Sequence, residues 1–99
     1  MADLSSSIRL AVDSGKVVFG VKEVAASIRK SDAKLVVVSK KGRSSDISDI
    51  THIAKIASIK VIPFDGNPIE LGAVCGKPFS VSTLAIIDPG NSTILEENK

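Results

Sequence analysis

The apolar positions of this 99-residue chain change period repeatedly. Leu4, Ile8, Ala11 and Val12 fall at i, i+4, i+7 and i+8, the spacing of one buried helical stripe, and Asp3 stands where a helix cap belongs. Ser14-Gly15 ends that stripe, and Lys16 to Phe19 predicts a short apolar strand. Gly20 follows, and Val21, Val24, Ala25 and Ile28 predict a second helix ending near Lys30. Leu35-Val36-Val37-Val38 is rich in β-branched residues and too short for a helix, so it predicts a buried central strand.

Ser45-Asp46 opens a third predicted helix, with Ile47, Ile50, Ile53, Ala54 and Ala57 on one side. A third strand runs from Lys60 to Phe64, with Pro63 near its end. The next helix start is strongly marked. Asn67 stands at the cap, Pro68 at the first position and Glu70 three after the cap, an asparagine version of the capping box. That helix is expected to reach about Cys75, where Gly76 and Pro78 prevent continuation. Thr83 to Ile87 forms a fourth strand, Asp88-Pro89-Gly90 a turn, and 91–99 a loose tail or short helix.

Alternation of strand and helix predicts an α/β fold, a three-layer α/β/α sandwich, with residues 1–99 as one domain. In such folds ligands meet the loops at one end of the strands, here Gly20 to Lys22, Ser39 to Ser44 and Lys77 to Ser82.

Composition narrows the function. A chain with 43% hydrophobic and 24% charged residues buries enough apolar surface to offset the entropy of ordering, so disorder is not expected. No apolar run approaches the roughly 20 residues of a membrane span, and the first residues lack a secretory pattern, so the expectation is a soluble cytoplasmic protein with no membrane partner. The balance of 13 basic against 11 acidic residues is too mild to announce nucleic acid by itself. Its distribution is more telling. Between Ala33 and Ser45 stand Lys34, Lys40, Lys41 and Arg43 with no acid.

Catalysis finds little support. His52, the one histidine, lies on the side of the third helix opposite the apolar stripe and has no cysteine or histidine partner in reach. Cys75 sits among small apolar residues at a helix end, the setting of an inert buried thiol. Gly72 to Lys77 superficially suggests a phosphate-binding loop, but the glycine spacing is one short and Pro78 replaces the hydroxyl that would hold magnesium. The carboxylates read as caps and first-turn charges. Neither catalytic nor metal-ligating residues nor a cofactor site is expected, and the chain is not expected to be an enzyme.

The loop end is left. Gly20 turns a strand into a helix, so backbone N–H groups and a positive dipole end stand beside Lys22, which suits a phosphate; alternatively Gly20 only makes the turn and Lys22 is a solvated charge. Lys40, Lys41 and Arg43 flank Gly42 in a loop that either tracks a nucleic-acid backbone or is merely solvated. Phe79 is either a stacking residue or a lid on the core.

Taken in order, Ser14-Gly15-Lys16-Val17-Val18-Phe19-Gly20, Ala33 to Val38, Asn67 to Gly72, Gly76-Lys77-Pro78 and Ala85-Ile86-Ile87-Asp88-Pro89-Gly90 give a specific pattern. Over nearly its whole length the chain resembles the L-seven-Ae superfamily of ribosomal and kink-turn RNA-binding proteins, in its archaeal and eukaryotic large-subunit L-thirty-e branch. The resemblance implies a four-stranded mixed sheet and binding of a kink-turn, a sharply bent RNA internal loop with tandem sheared G·A pairs. It implies rRNA and neighbouring large-subunit components as partners, a monomer in isolation and a place in the cytoplasmic ribosome. By position it implies that Gly20 and Lys22 contact the RNA loop, that Glu23 faces a guanine, and that Phe79 stacks near the bent strand with Val81 beside it. Lys41 departs from the family's usual asparagine. A lysine only donates, so backbone contact replaces some base readout there. Two alternatives stay open: a kink-turn protein of another ribonucleoprotein, and a small-ligand or protein-interaction module of the same fold.

Overall fold

The apolar periods become eight elements in the expected order. In the computed structural model, which describes residues 4–42, 44–92 and 94, these are α1 (Leu4–Ser14), β1 (Lys16–Phe19), α2 (Val21–Arg29), β2 (Leu35–Ser39), α3 (Ser44–Ile56), β3 (Val61–Phe64), α4 (Pro68–Val74) and β4 (Thr83–Asp88). The strands form one sheet in the order β1-β4-β2-β3. β2 and β3 are parallel, joined through α3, whereas β4 runs antiparallel to both of its neighbours. The sheet is therefore mixed. Val37 fixes the register at its centre, opposite Leu84 on one side and Ile62 on the other.

Strand alternation sends side chains to two faces. Leu35, Val37, Ile62, Phe64, Leu84 and Ile86 pack with Ile8 and Ala11 of α1 and Leu71 of α4. Val36, Val38 and Ala85 pack with Val24, Ala25 and Ile28 of α2 and with Ile50 and Ala54 of α3. Helices thus cover both faces of the sheet, which is the α/β/α sandwich. β2 is buried at all five positions because helices lie on both of its faces and strands on both of its edges.

Element ends shift by a residue or so. α3 begins at Ser44 and stops at Ile56, so Ala57 lies beyond it and is exposed instead of sharing the buried stripe. β3 begins at Val61, and β4 continues to Asp88 because Lys16 of β1 pairs with it. α4 ends at Val74, with Cys75 as its C-cap and Gly76 at φ 72°. The predicted Asp3 cap lies outside the described residues. So does most of the predicted tail, but its described part is anchored. The Ser92 hydroxyl donates to the Ser7 carbonyl at 2.8 Å, and Ile94 is fully buried in the α1 face of the core.

Among the described residues no helix is long and apolar enough to cross a membrane. What the topology does for function is local. The C-terminal ends of β1, β2 and β3 and the first residue of β4 all meet at one end of the sheet, because only β4 runs the other way.

Candidate nucleic-acid interface

Thr83 is the hub of that end. Its carbonyl accepts the Gly20 amide at 3.1 Å, its hydroxyl donates to the Val37 carbonyl at 3.1 Å, and the preceding Ser82 carbonyl accepts the Ser39 amide at 2.9 Å. The turn after β1 and the turn after β2 are therefore tied to one short segment. Sequence reasoning misses Thr83, since a strand's first residue carries no periodic signal.

Gly20 is the N-cap of α2 with φ 94° and ψ 153°, a region essentially closed to side-chain-bearing residues. A Cβ placed there would meet nothing within 4 Å, so the space above Gly20 is open. No side chain caps α2, whose first turn therefore keeps amides without an intrahelical partner. Lys22 and Glu23 are both exposed on that turn. Open backbone, a positive helix end, one cation and one anion stand together there.

The second turn carries Lys40 and Lys41, both exposed. The Lys40 amide donates to the Phe64 carbonyl at 3.0 Å and the Gly42 amide to the Ser39 carbonyl at 3.2 Å, so the backbone is fixed while the lysine side chains stay in water. Gly42 lies against Ser82 and Pro68, which brings this turn beside the start of α4. Buried Ser39 donates its hydroxyl to the Gly66 carbonyl and locks the same corner. Arg43 lies outside the described residues.

Phe79 flanks the end from the α4 side. It is 53% exposed and sits against Phe19, ring centroids 6.5 Å apart and planes 82° apart, while the Lys77 ammonium lies 5.4 Å from the centre of the Phe19 ring. Phe19 is the residue before Gly20, so Phe79 borders the open backbone. Lys77, not among the expected site residues, thus adds a cation beside the aromatic pair. Val81 behaves differently from the expectation. Its side chain is 2% exposed within the α1 face of the core, because its amide donates to the Pro68 carbonyl at 2.9 Å and pulls the strand approach inward. Val81 anchors the Phe79 segment from below and offers no surface of its own.

His52 is exposed on α3, as its helical position implies, and lines a groove of about 360 Å³ between α2 and α3 with Lys22, Arg29 and Asp49. Cys75 is buried, and desolvation pushes its thiol up to about 11, opposed in part by Lys77 and Arg9. Because the folded state keeps this proton after the unfolded thiol has ionised, its contribution is complete below the ordinary thiol value of 9 and is lost as pH rises toward 11. The expected result is unfolding free energy that declines between pH 9 and 11, and a Cys75→Ala variant with a shallower decline; identical slopes in urea titrations would contradict it. Among the described residues no three His, Cys, Asp or Glu side chains gather as a metal site.

The loop end therefore combines open backbone, an uncapped helix start, paired lysines and a half-exposed aromatic. Known proteins share this chain's pattern over nearly its full length. The family model described as the Ribosomal protein L7Ae/L30e/S12e/Gadd45 family matches residues 2–96. The chain is 45% identical over 94 residues to the large ribosomal subunit protein eL30 of Methanothermobacter thermautotrophicus, covering 95% of this chain and 96% of that one. It is 41% identical over 96 residues to the protein of the same name from Methanococcus maripaludis, covering 97% and 91%. A solved structure, of a protein with unknown function from Bacillus halodurans C, superposes with a TM-score of 0.83 at 20% identity over 98% of this chain and 96% of that one, which supports the fold alone. With the family match spanning almost every residue, the chain belongs to the ribosomal protein L7Ae/L30e/S12e/Gadd45 family.

Proposed function

We infer that this chain is a non-enzymatic structural component of the large ribosomal subunit, in the cytoplasmic ribosome, and that it binds a kink-turn of rRNA through the loop end of its sheet. The ribosomal part rests on relatives named as large ribosomal subunit proteins. The RNA part rests on one observation: the Gly20 backbone lies open between a half-exposed Phe79 and the exposed Lys22. A bent RNA strand needs close backbone approach, a surface for an unstacked base and cations for its phosphates. All three are supplied at one end of the sheet, where Phe79 meets Phe19.

The physics favours a deformed site over a duplex. A-form RNA hides its base edges in a deep, narrow groove, whereas internal loops splay them out. The Glu23 carboxylate only accepts, which matches the N–H edge of a guanine, and Lys40 and Lys41 supply charge without reading sequence. A net charge of +2 leaves much of the selectivity to shape and stacking.

Lys22→Ala is expected to weaken kink-turn binding by about 1–3 kcal/mol, the range of a good polar contact. His52→Ala, across the α2–α3 groove from Lys22 and on a different helix from the Gly20 turn, is expected to leave the affinity unchanged. Equal losses from the two, measured in parallel titrations, would show that the loop end is not the binding surface. Binding with no RNA preference at all would favour a protein-interaction module of the same fold.

A further inference from the structure

The end of the sheet opposite the loop end carries charge that neither turn explains. Lys16 opens β1, Lys34 immediately precedes β2 and Lys60 immediately precedes β3. Those three strands run the same way, so the three lysines reach one end of the sheet. All are exposed, and among the described residues none pairs with a carboxylate. In the order β1-β4-β2-β3, Lys34 and Lys60 stand on neighbouring strands and Lys16 two strands from Lys34, a row spanning roughly 15 Å. Lys30 caps α2 and Lys55 lies in the last turn of α3, where lysines offset the helix dipole. Lys16, Lys34 and Lys60 belong to no helix, so the dipole leaves them unexplained. Protection of a sheet edge accounts for a lysine on β1 or β3 but not for Lys34, which precedes a central strand. Of the carboxylates near that end, Asp13 is held by Arg9 at 3.0 Å and Asp88 accepts the Gly90 amide at 2.9 Å. Asp32 and Glu23 line a hollow of about 200 Å³ with Lys16 and Lys30, and Lys34 and Lys60 stand outside it.

We propose that this end binds the phosphate backbone of a second RNA duplex, so that the chain bridges that duplex to the RNA at its loop end. The inference goes beyond the kink-turn reading and rests on it only for the RNA at the opposite end. Lys34 and Lys40 bracket β2 six residues apart, about 20 Å along a strand. That is more than twice the roughly 8 Å screening length at physiological salt, so the far lysines do not serve phosphates held by the loop end. A duplex fits better than an unpaired strand. Phe19 and Phe64 end β1 and β3, and Phe79 lies against Phe19, so no ring stands at the far end to stack on a base. Lysines without aromatic neighbours engage phosphates and read no sequence. The same lack of a ring disfavours a protein partner, whose binding energy would centre on an anchor of that kind. Three phosphate contacts are weak alone, but a chain already held at its loop end presents them at high effective concentration.

A triple variant, Lys16→Gln with Lys34→Gln and Lys60→Gln, tests this, and a second triple, Lys16→Arg with Lys34→Arg and Lys60→Arg, keeps the charge. Each protein is saturated with a short kink-turn RNA and then titrated with a labelled plain RNA duplex at several salt concentrations. Wild type is expected to capture the duplex weakly, with a salt slope of about −3. The glutamine triple should lose about tenfold or more in capture, its slope falling by about one for each lysine removed. The arginine triple should capture the duplex as wild type does, and all three proteins should bind the kink-turn alone equally. No capture by wild type, equal capture by the glutamine triple, or capture of polyglutamate in place of the duplex would overturn the proposal. The kink-turn titration reports separately on the loop end. If it shows no preference for the kink-turn, that reading falls, and duplex titrations of the unloaded wild type and glutamine triple still decide this one.

Discussion

Gly72→Ala is expected to destabilise the fold by at least about 2–3 kcal/mol, near the upper part of the usual range for overpacking. A Cβ at Gly72 would lie 2.0 Å from the Phe79 carbonyl oxygen and 3.1 Å from its carbon. Both obstacles are backbone, so no side-chain rotation relieves them. Either α4 backs away from the core, which loosens Leu71 at 0% exposure, or the 79–81 segment moves outward and drags Val81 from its buried seat. For a chain of 99 residues this corresponds to a fall in Tm of roughly 10–20 °C. Gly42→Ala is the matched control. Its Cβ would make only ordinary contacts, 3.4 Å to the Ser39 carbonyl and 3.6 Å to Ser82, so its effect should stay within about 0.5 kcal/mol. Thermal unfolding followed by far-ultraviolet circular dichroism decides the matter, since the chain has no Tyr or Trp to report by fluorescence. Equal midpoints for Gly72→Ala and wild type would show that the close approach of helix and segment is wrong.

Phe79→Ala is the second large effect, and it falls on binding more than on stability. The ring is half exposed and its contact with Phe19 is a single edge-to-face pair. Losing that pair costs the fold about 1 kcal/mol. Losing a platform for one base costs about 1–3 kcal/mol of RNA affinity. Phe79→Tyr keeps the aromatic face and should restore most of the binding, whereas Phe79→Leu keeps apolar area without a π-face and should not. Parallel titrations of the three variants therefore separate stacking from mere hydrophobic contact. Full binding by Phe79→Leu would remove stacking from the mechanism.

How much of the fold is legible in the sequence depends on the range of each signal. The α4 start is readable because its chemistry is local. The Asn67 side chain accepts the Glu70 amide at 2.8 Å, three residues away, and Pro68 fills the first position. Val36 and Val38 mark a buried strand because helices on both faces demand continuous apolarity. Strand direction is not readable from periodicity, since a β-branched run reads alike in either sense; only the family resemblance implies the mixed sheet. The antiparallel course of β4 is decided by where the chain re-enters after Gly76, which is a matter of tertiary packing.

Within the site, Gly20 and Lys22 are visible in the sequence as a strand-to-helix turn. Val81 enters the site only through the family resemblance, and its inward turn is not readable, because an irregular segment carries no period to reveal which side chains face the core. The position of Lys77 over Phe19 joins residues far apart in sequence, and no spacing rule reports such a pair. Gly72 reads as part of a glycine-marked helix end, yet its reason is the Phe79 carbonyl across a tertiary contact.

Recognition of a bent RNA by the loop end is the central claim. The most direct measurement is a binding titration at two salt concentrations against a kink-turn, the same loop with its sheared G·A pairs replaced, and a plain duplex. Tight binding to the first alone is predicted, with a salt slope that counts only a few phosphates. Equal weak binding to all three, with affinity set by salt alone, would contradict it.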